Sequence, residues 1–264
     1  MKVKELLSSL INEATSVMEP TSDQILVGNP DNEVGKIAVC FKLTAKVLDD
    51  VIAYGANTVI THEGLFGSGK PIDNLQGTDL IKYNILKESG LTVFRFHDHA
   101  HNREEDLIHQ GFIKELGLEV EEKHDKRSFA IRTYDLKTPI SVKEIANLIN
   151  KKLGVELVRL IGDENKTVKK LGLGLGWVDL FNKDFIDDDS VDLIISGEVG
   201  SELYAQEYIR DANHYGKNKC LIILGHKLAE VAGMRYFTNI LKERGFDAKY
   251  FDSGVTYTEL YYGK

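Results

Sequence analysis

The sequence predicts an α/β protein made of two interlocked, duplicated α/β half-units with mixed sheets flanked by helices and a small αβ insert. One observation behind this prediction is a strand, helix and strand pattern that begins at Lys36 and again at Lys170. Another is that nearly equal lengths of chain separate Lys36 from Glu63 and Lys170 from Glu198. A third is that histidines and carboxylates follow the strands in both copies, and open α/β sheets bind ligands at the carboxyl ends of their strands.

The first elements follow from local signals. Apolar residues at helical spacing predict an amphipathic helix over residues 2–18. Turn-forming residues fill the segment from Ser22 to Gly35, and a strand-like run begins at Lys36. Thr44 is suited to cap the helix that follows, at about residues 46–54.

The remaining elements of the first half bring histidines to strand ends. A strand ending at Thr61 leads directly into His62. A helix at about residues 79–89 then precedes the strand that runs into His97. Asn102 and Glu105 resemble a capping box for a helix towards Leu116, so we expect a loop over residues 97–101.

The middle of the chain differs from the two repeats. An extended run at residues 128–134 is followed by the Ser141 capping box of a helix that ends at Gly154, which predicts a small αβ insert. The second repeat follows, with a closing strand at residues 248–251. The predicted divisions are the first half at 1–117, the insert at 118–168 and the second half at 169–264.

Composition limits the function classes. The net charge of −8 argues against dedicated nucleic-acid binding, because phosphate contacts need a surplus of Lys and Arg. Cys40 and Cys220 lie in apolar runs and are expected to be buried thiols in a reducing compartment. No segment approaches the roughly 20 apolar residues that span a bilayer. We therefore expect a cytoplasmic protein that binds no membrane.

Histidines and carboxylates form the principal candidate site. Three of the eight histidines lie between His97 and His101. A solvated polar loop is the structural alternative, but imidazole is also the commonest transition-metal ligand. The spacing of His97 and His101 recurs in His226 and Glu230, although a carboxylate such as Glu230 is also common in the first turn of a helix. The candidate ligands are His62, Glu63, His97, His101, His226 and Glu230, which suit two metal ions that share a bridging carboxylate.

Other motifs are weaker. The run from Gly64 to Lys70 fits part of a phosphate-binding loop, but Pro71 stands where a Ser or Thr is required. The glycines of the run Gly172 to Gly176 favour a strand with close backbone approach over a dinucleotide fingerprint. The three histidines without partners at ligand spacing are His109, His124 and His214.

These residues resemble the NGG-interacting-factor-like family, also labelled GTP cyclohydrolase I type 2 homologues or dinuclear-metal-centre hexameric proteins. The matching residues are Val27-Gly28-Asn29-Pro30, Ile60-Thr61-His62, Gly174, Ser196-Gly197-Glu198, Gly225-His226 and Glu230. The resemblance implies an interlocked pair of similar α/β halves, a dinuclear metal site and a toroidal homohexamer.

Two positions depart from the family pattern. The family's His-His-Pro is matched by His62-Glu63-Gly64, and its His-x-x-x-Asp by His97 and His101, whereas the closing His-x-x-x-Glu is intact. The ligand count is therefore kept, and Asp98 and His99 stay open as alternative ligands.

The first functional hypothesis is a metal-dependent hydrolase of a nucleotide or phosphoester-like small molecule, using two zinc, iron or manganese ions. His62, His97 and His226 would be terminal ligands, Glu230 the bridge, and Glu63 and His101 the completing ligands. Glu198 would either transfer protons or support a ligand from behind. The alternative is a non-enzymatic metal-binding, metal-delivery or scaffold protein. Aromatic residues of the C-terminal run Val255 to Tyr262 are candidates for subunit contacts, and packing of this tail in the core is the alternative. The aromatic residues are Tyr257, Tyr261 and Tyr262.

Overall fold

Two mixed β-sheets flanked by helices form the fold, as the sequence predicts. The structure is a computed structural model that describes residues 1–67, 72–179, 182–200 and 205–254, with the backbone alone at residues 122–124. Contacts divide the chain into two units. Unit 1 comprises Met1–Arg103 with Phe237–Lys264, and unit 2 comprises Glu104–Tyr236.

The described elements are, in chain order, α1 (Val3–Asn12), β1 (Ile25–Val27), β2 (Ile37–Cys40), α2 (Ala45–Tyr54), β3 (Thr58–Thr61), a 3-10 turn (Ile72–Asn74), α3 (Gly77–Ser89), β4 (Thr92–Arg95), α4 (Asp98–His101), α5 (Leu107–Leu116), β5 (Val120–Ser128), β6 (Ile131–Ser141), α6 (Val142–Leu153), β7 (Arg159–Ile161), β8 (Thr167–Val178), α7 (Lys183–Asp187), β9 (Leu193–Val199), α8 (Glu207–His214), β10 (Leu221–Ile223), α9 (His226–Glu243) and β11 (Ala248–Tyr250).

The sheet of unit 1 has the strand order β1-β4-β3-β2-β11. Strands β4, β3, β2 and β11 run parallel, and β1 pairs antiparallel with β4 at the edge. Every residue of β2 and β3 is buried, as expected for central strands of a parallel sheet. The apolar residues packed around these strands are Ala38, Cys40, Leu43, Val47, Leu48, Val51, Val59, Leu65, Leu86, Leu91, Val93 and Phe251.

The sheet of unit 2 has the order β5-β6-β8-β9-β10-β7. Strands β8, β9 and β10 are parallel neighbours, as β2, β3 and β4 are in unit 1. The repeated pattern of the sequence corresponds to these two sets of strands. Strands β5, β6 and β7, which fall in the predicted insert, join the same sheet as β8 to β10. The ranges 1–117, 118–168 and 169–264 stay a prediction.

Several local predictions are confirmed by cap geometry. The side chain of Thr44 accepts a hydrogen bond from Val47 N at the start of α2, and Gly55 ends that helix with φ of 76°. Ser141 and Glu144 form the predicted capping box of α6. Cys40 and Cys220 are buried free thiols. Within the described residues, no helix combines the length and apolar character needed to cross a membrane.

Two helix boundaries were predicted wrongly. The N-terminal helix ends at Asn12 rather than near residue 18. The second error concerns Asn102, because α5 begins at Leu107 and its cap is Asp106, whose side chain accepts hydrogen bonds from the N–H groups of Ile108 and His109. The amide of Asn102 instead donates to Ser16, so its hydrogen-bonding capacity is used elsewhere.

Candidate metal centre

Three histidine rings meet in unit 1. The ring centroids of His62 and His97 are 4.5 Å apart, and that of His101 lies 5.3 Å from His62 and 5.1 Å from His97. One ring nitrogen of each residue lies within 4.8 Å of the others. The structure thus brings together three of the ligands that the sequence suggested, on different elements.

The parallel pairing of β3 and β4 explains why the rings converge. Thr61 and Arg95 are paired at the ends of the two strands, and the N–H of Phe96 donates to the carbonyl of Thr61 at 3.0 Å. The carboxyl ends of both strands therefore reach one edge of the sheet, where His62 and His97 follow. The segment of His97 to His101 is not the predicted loop but contains the short helix α4, so residues four apart lie on one face.

The tautomer of His62 follows from its hydrogen bond. Its ring is fully buried, and Nδ1 lies 3.0 Å from the carbonyl oxygen of Phe96. A carbonyl oxygen only accepts, so Nδ1 carries the proton and donates. The neutral ring then has its lone pair on Nε2, which is the form that binds a metal ion.

Asp98 orients His97 in a similar way. Its Oδ1 lies 2.8 Å from Nδ1 of His97, while its Oδ2 accepts from the hydroxyl of Thr21 at 2.9 Å and from the N–H of Ser22 at 2.6 Å. Although burial alone would raise it, these hydrogen bonds hold the pKa of Asp98 below its ordinary value. A carboxylate behind a histidine fixes the ring and increases its basicity as a ligand.

The environment keeps His97 neutral. Burial, together with the nearby His62, His101 and Arg95, lowers the pKa of His97 to about 4, although the hydrogen bond to Asp98 acts in the opposite direction. The ring is therefore unprotonated at neutral pH, as a metal ligand must be.

Glu63 lies beside this cluster and is held by Arg95. Its Oε2 is 3.1 Å from Nη2 of Arg95, and its Oε1 is 3.8 Å from Nε2 of His97. Arg95 also donates through Nε to the carbonyl of His62 at 2.9 Å. Arg95 thus holds both the carboxylate of Glu63 and the backbone of His62.

His99 has a structural role instead of the ligand role that the sequence left open. Its ring is fully buried, and the N–H of Met18 donates to Nε2 at 3.0 Å. Nδ1 lies 2.8 Å from Oδ2 of Asp23 and donates to that carboxylate. Both ring nitrogens of His99 are hydrogen-bonded within the protein, so His99 anchors the segment 97–101 to the residues around Met18 and Asp23.

Sequence reasoning missed Asp23. Its buried carboxylate accepts hydrogen bonds from the backbone N–H groups of His97 at 2.5 Å, Asp98 at 3.0 Å and His99 at 2.8 Å. The residue lies in a turn-rich stretch more than 70 positions earlier, and no local pattern connects it to the histidines. Its burial and its hydrogen bonds identify it as the anchor of the histidine segment.

A second group of candidate residues lies in unit 2. His226 begins α9, and Glu230 follows one turn later with its carboxylate buried. Nε2 of His226 is 3.3 Å from Oε2 of Glu230, and Nδ1 is 3.7 Å from Oε2 of Glu198. The imidazole therefore lies between a buried carboxylate and one that is 60% exposed.

Glycines allow the strands to pass close to this pair. A Cβ on Gly176 would lie 3.1 Å from Oε1 of Glu230 and 3.3 Å from Nε2 of His226. A Cβ on Gly197 would lie 1.9 Å from the carbonyl oxygen of Leu175. The prediction of a strand with glycines for close approach is confirmed, because residues 172–176 lie within β8.

The donor sets fit a transition metal. Neutral imidazoles with a carboxylate beside them make a mixed nitrogen and oxygen shell, which suits zinc, iron or manganese. Each unit contributes such donors, with three imidazoles and Glu63 in unit 1, and His226 and Glu230 in unit 2. The chain therefore has His and Glu groups that could hold metal ions.

The other singled-out residues have contacts of their own or lie outside the described residues. His109 is buried, with Nδ1 3.1 Å from the hydroxyl of Tyr134. His214 is exposed and its ring packs beside Tyr215. The side chain of His124 lies outside the described part of the chain. The same holds for residues 68–71, in the run that fits part of a phosphate-binding loop, and for the C-terminal run that contains Tyr257, Tyr261 and Tyr262.

Comparison with known proteins gives consistent matches. The model of the Duf34/NIF3 (NGG1p interacting factor 3) family matches residues 1–258. A protein of Clostridium acetobutylicum named GTP cyclohydrolase 1 type 2 homolog is 24% identical over 250 residues, covering 86% of this chain and 90% of that protein.

Solved structures show the same fold. Reduced HcgD from Methanocaldococcus jannaschii superposes with a TM-score of 0.76 at 18% identity, covering 97% of this chain and 98% of that one. Protein ybgI, described as of unknown function, gives a TM-score of 0.75 at 22% identity, covering 96% of this chain and 98% of that one.

The three-histidine cluster yields a first prediction. Replacement of His97 or His101 with Ala should weaken zinc binding by at least about 10-fold, since loss of even an outer partner of a metal ligand costs that much. Competition with a chromophoric chelator measures the affinity. The exposed His214 serves as the control, and its replacement with Ala should leave zinc affinity unchanged. Equal affinities in all three variants would contradict the assignment.

The anchoring role of Asp23 yields a second prediction. An Asn side chain would present an NH₂ group to backbone N–H donors, so Asp23→Asn should loosen the segment and reduce zinc affinity by about 10- to 100-fold. Asp31→Asn is the matched control, because Asp31 is exposed and pairs with Lys2 and Lys4. If the two variants bind zinc equally well, Asp23 does not position the ligands.

Proposed function

Because this chain belongs to the Duf34/NIF3 (NGG1p interacting factor 3) family, we propose that it is a metal-dependent hydrolase with two divalent transition-metal ions, acting on a nucleotide or phosphoester-like small molecule. The observation that carries the proposal is the buried cluster of three histidines, with a carboxylate beside it, at the carboxyl edge of a parallel sheet. Such an edge is where open α/β sheets bind their ligands.

The proposed ligands are the six residues singled out in the sequence. The residues that would hold the two ions are His62, Glu63, His97, His101, His226 and Glu230. When bound, the ions supply Lewis acidity towards a substrate oxygen and towards water. The geometry within each unit supports this assignment, because imidazole and carboxylate groups lie side by side in both.

The surrounding residues fix the donors. Asp98 holds His97 so that Nε2 faces away from the carboxylate, and Arg95 holds Glu63 against the ring. These contacts limit the motion of the donors before an ion or a substrate arrives. Preorganisation of this kind lowers the cost of binding and of charge development during a reaction.

Glu198 is the proposed proton-transfer group. Its carboxylate is mostly exposed and lies 3.7 Å from Nδ1 of His226. It is therefore accessible to water and to a substrate while remaining next to a proposed ligand. A carboxylate in this position is suited to accept a proton from an attacking water and to return it to a leaving group.

The substrate class rests on two supports. The clostridial relative is named as a homologue of a GTP cyclohydrolase, and GTP is a nucleotide. Independently, two ions suit the hydrolysis of phosphoesters and anhydrides, because they stabilise both the attacking and the leaving oxygen. A nucleotide or phosphoester-like molecule satisfies both.

The proposal predicts bound metal and a specific loss of turnover. Elemental analysis of protein reconstituted with zinc, iron or manganese should give about two ions per chain, as a two-ion site requires. Hydrolysis is then screened against nucleotides and phosphodiesters. Glu198→Gln should lower kcat by about 100-fold or more with metal content unchanged, because proton transfer contributes that much.

Glu164→Gln is the matched control, since Glu164 is an exposed carboxylate of the same unit that pairs with Lys143. Its turnover should equal that of the unaltered protein. Absence of metal after reconstitution would overturn the proposal. Two bound ions without hydrolysis of any compound would instead support the alternative of a non-enzymatic metal-binding or metal-delivery protein.

We also propose a homohexamer. Helix α3 exposes apolar side chains, with Leu80 41%, Ile81 63% and Ile85 39% exposed, and grouped exposed apolar residues mark association surfaces. Light scattering should give a mass near six times the 29.6 kDa of one chain. Ile81→Lys should lower that mass, whereas Leu157→Lys, at a similarly exposed position of unit 2, should not. A monomeric unaltered chain would refute the assembly.

A further inference from the structure

Trp177 is the only tryptophan of the chain, and the metal centre does not account for it. It lies near the end of β8 with 47% of its surface exposed. Tryptophan is highly buried on average, because its ring gains much from leaving water. A ring that stays half exposed at a strand end offers its apolar surface to a ligand.

The position of Trp177 relates it to the candidate residues of unit 2. Trp177 is the register partner of Glu198 in the parallel pair of β8 and β9. Glu198 in turn lies 3.7 Å from His226. The preceding residue, Gly176, is the one whose Cβ would lie 3.3 Å from Nε2 of His226. Trp177, Glu198 and His226 therefore occupy the same end of this strand pair.

The indole ring lies close to the backbone of Gly200. A Cβ on Gly200 would lie 2.4 Å from Nε1 and 2.5 Å from Cζ2 of Trp177, and 2.3 Å from Oδ2 of Asp179. Only glycine leaves room for the ring and this carboxylate at that point. A tryptophan side chain has only two χ angles, so it loses little conformational freedom when a ligand packs against it.

The charges beside the ring select what binds there. Glu198 and Asp179 both lie next to Trp177, in register and at Gly200 respectively. Two carboxylates repel phosphate groups and accept hydrogen bonds from N–H groups. The part of a nucleotide that suits this place is its base, with the phosphates directed elsewhere.

We propose that Trp177 is a stacking platform for the planar heterocycle of the substrate, so that the substrate class is compounds with an N–H-bearing base such as guanine. The inference rests on the function proposed above and adds the residue that recognises the base. Stacking of a base on an aromatic side chain contributes substantially to affinity and needs only an accessible ring face.

Fluorescence provides a direct test, because the single tryptophan reports on this position alone. Protein reconstituted with zinc is titrated separately with guanosine, GTP and inorganic tripolyphosphate. Guanosine and GTP should quench the tryptophan emission in a saturable manner, and tripolyphosphate should not. Quenching by tripolyphosphate alone, or none by guanosine, would overturn the proposal.

Variants separate stacking from packing. In calorimetric titrations with guanosine, Trp177→Leu should weaken binding by about 5- to 150-fold, the range that loss of base stacking gives. Trp177→Phe should keep most of the affinity, because it keeps an aromatic face. Tyr215→Ala is the control, since Tyr215 is an aromatic residue that is 80% exposed elsewhere in unit 2. Equal losses in the Leu and Phe variants, or equal effects in the Leu variant and the control, would refute the stacking role.

Zinc content distinguishes this proposal from the one on which it rests. Zinc content of the Trp177 variants should match that of the unaltered protein, because the indole is not a ligand. Zinc-loaded protein that hydrolyses a nucleotide but shows no response of Trp177 to guanosine would refute the stacking platform alone. Protein that binds guanosine at Trp177 but takes up no metal would refute the hydrolase and would leave the stacking role of Trp177 supported.

A second copy of the chain could instead bury Trp177. A blue-shifted tryptophan emission that guanosine does not alter would show this and would refute the stacking role.

Discussion

The parallel pairing of β3 and β4 is the constraint on which the unit 1 site depends. Their last residues, Thr61 and Arg95, lie side by side, so the chain that leaves each strand enters the same space. The two strands are buried and their register is fixed by a ladder of hydrogen bonds. A histidine immediately after one strand and another just after its neighbour are thereby brought within contact of each other, and the short helix α4 adds His101.

Carboxylates decide the chemical state of these histidines. Asp98 accepts from His97, and Asp23 accepts from His99 and from three backbone N–H groups. Two histidines of one segment, on either side of Asp98, thus receive different functions. Asp98 orients the ring of His97 beside the other ligand candidates, whereas the nitrogens of His99 bind Asp23 and the N–H of Met18. Burial lowers the pKa of His97 and keeps its imidazole neutral, and hydrogen bonds inside the protein are stronger than they would be in water.

In unit 2, glycines let the backbone of two strands lie close to the candidate ligands. A Cβ on Gly197 would collide with the backbone of β8 and of His226, and a Cβ on Gly176 would be in tight contact with His226 and Glu230. Glu198 and Trp177 are register partners at this place, so a proton-transfer group and an aromatic surface are positioned by one strand pair. This arrangement supports the two proposed roles, in which the metal donors act at the reacting group and the indole of Trp177 binds the base.

The sequence by itself determined most of the helices and strands and the chemistry of the ligand candidates, because strand periodicity, cap residues and the placement of histidines after strands are local signals. The α/β class, the Thr44 and Ser141 caps and the family membership all follow from such signals. Only the tertiary structure decided the tautomers and the supporting contacts. Asp23 and His97 lie 74 positions apart in the chain, and Asp106 displaced Asn102 as a cap because Asn102 is engaged by Ser16, 86 positions away. Contacts of that separation depend on how the sheet and helices pack, which no local pattern encodes.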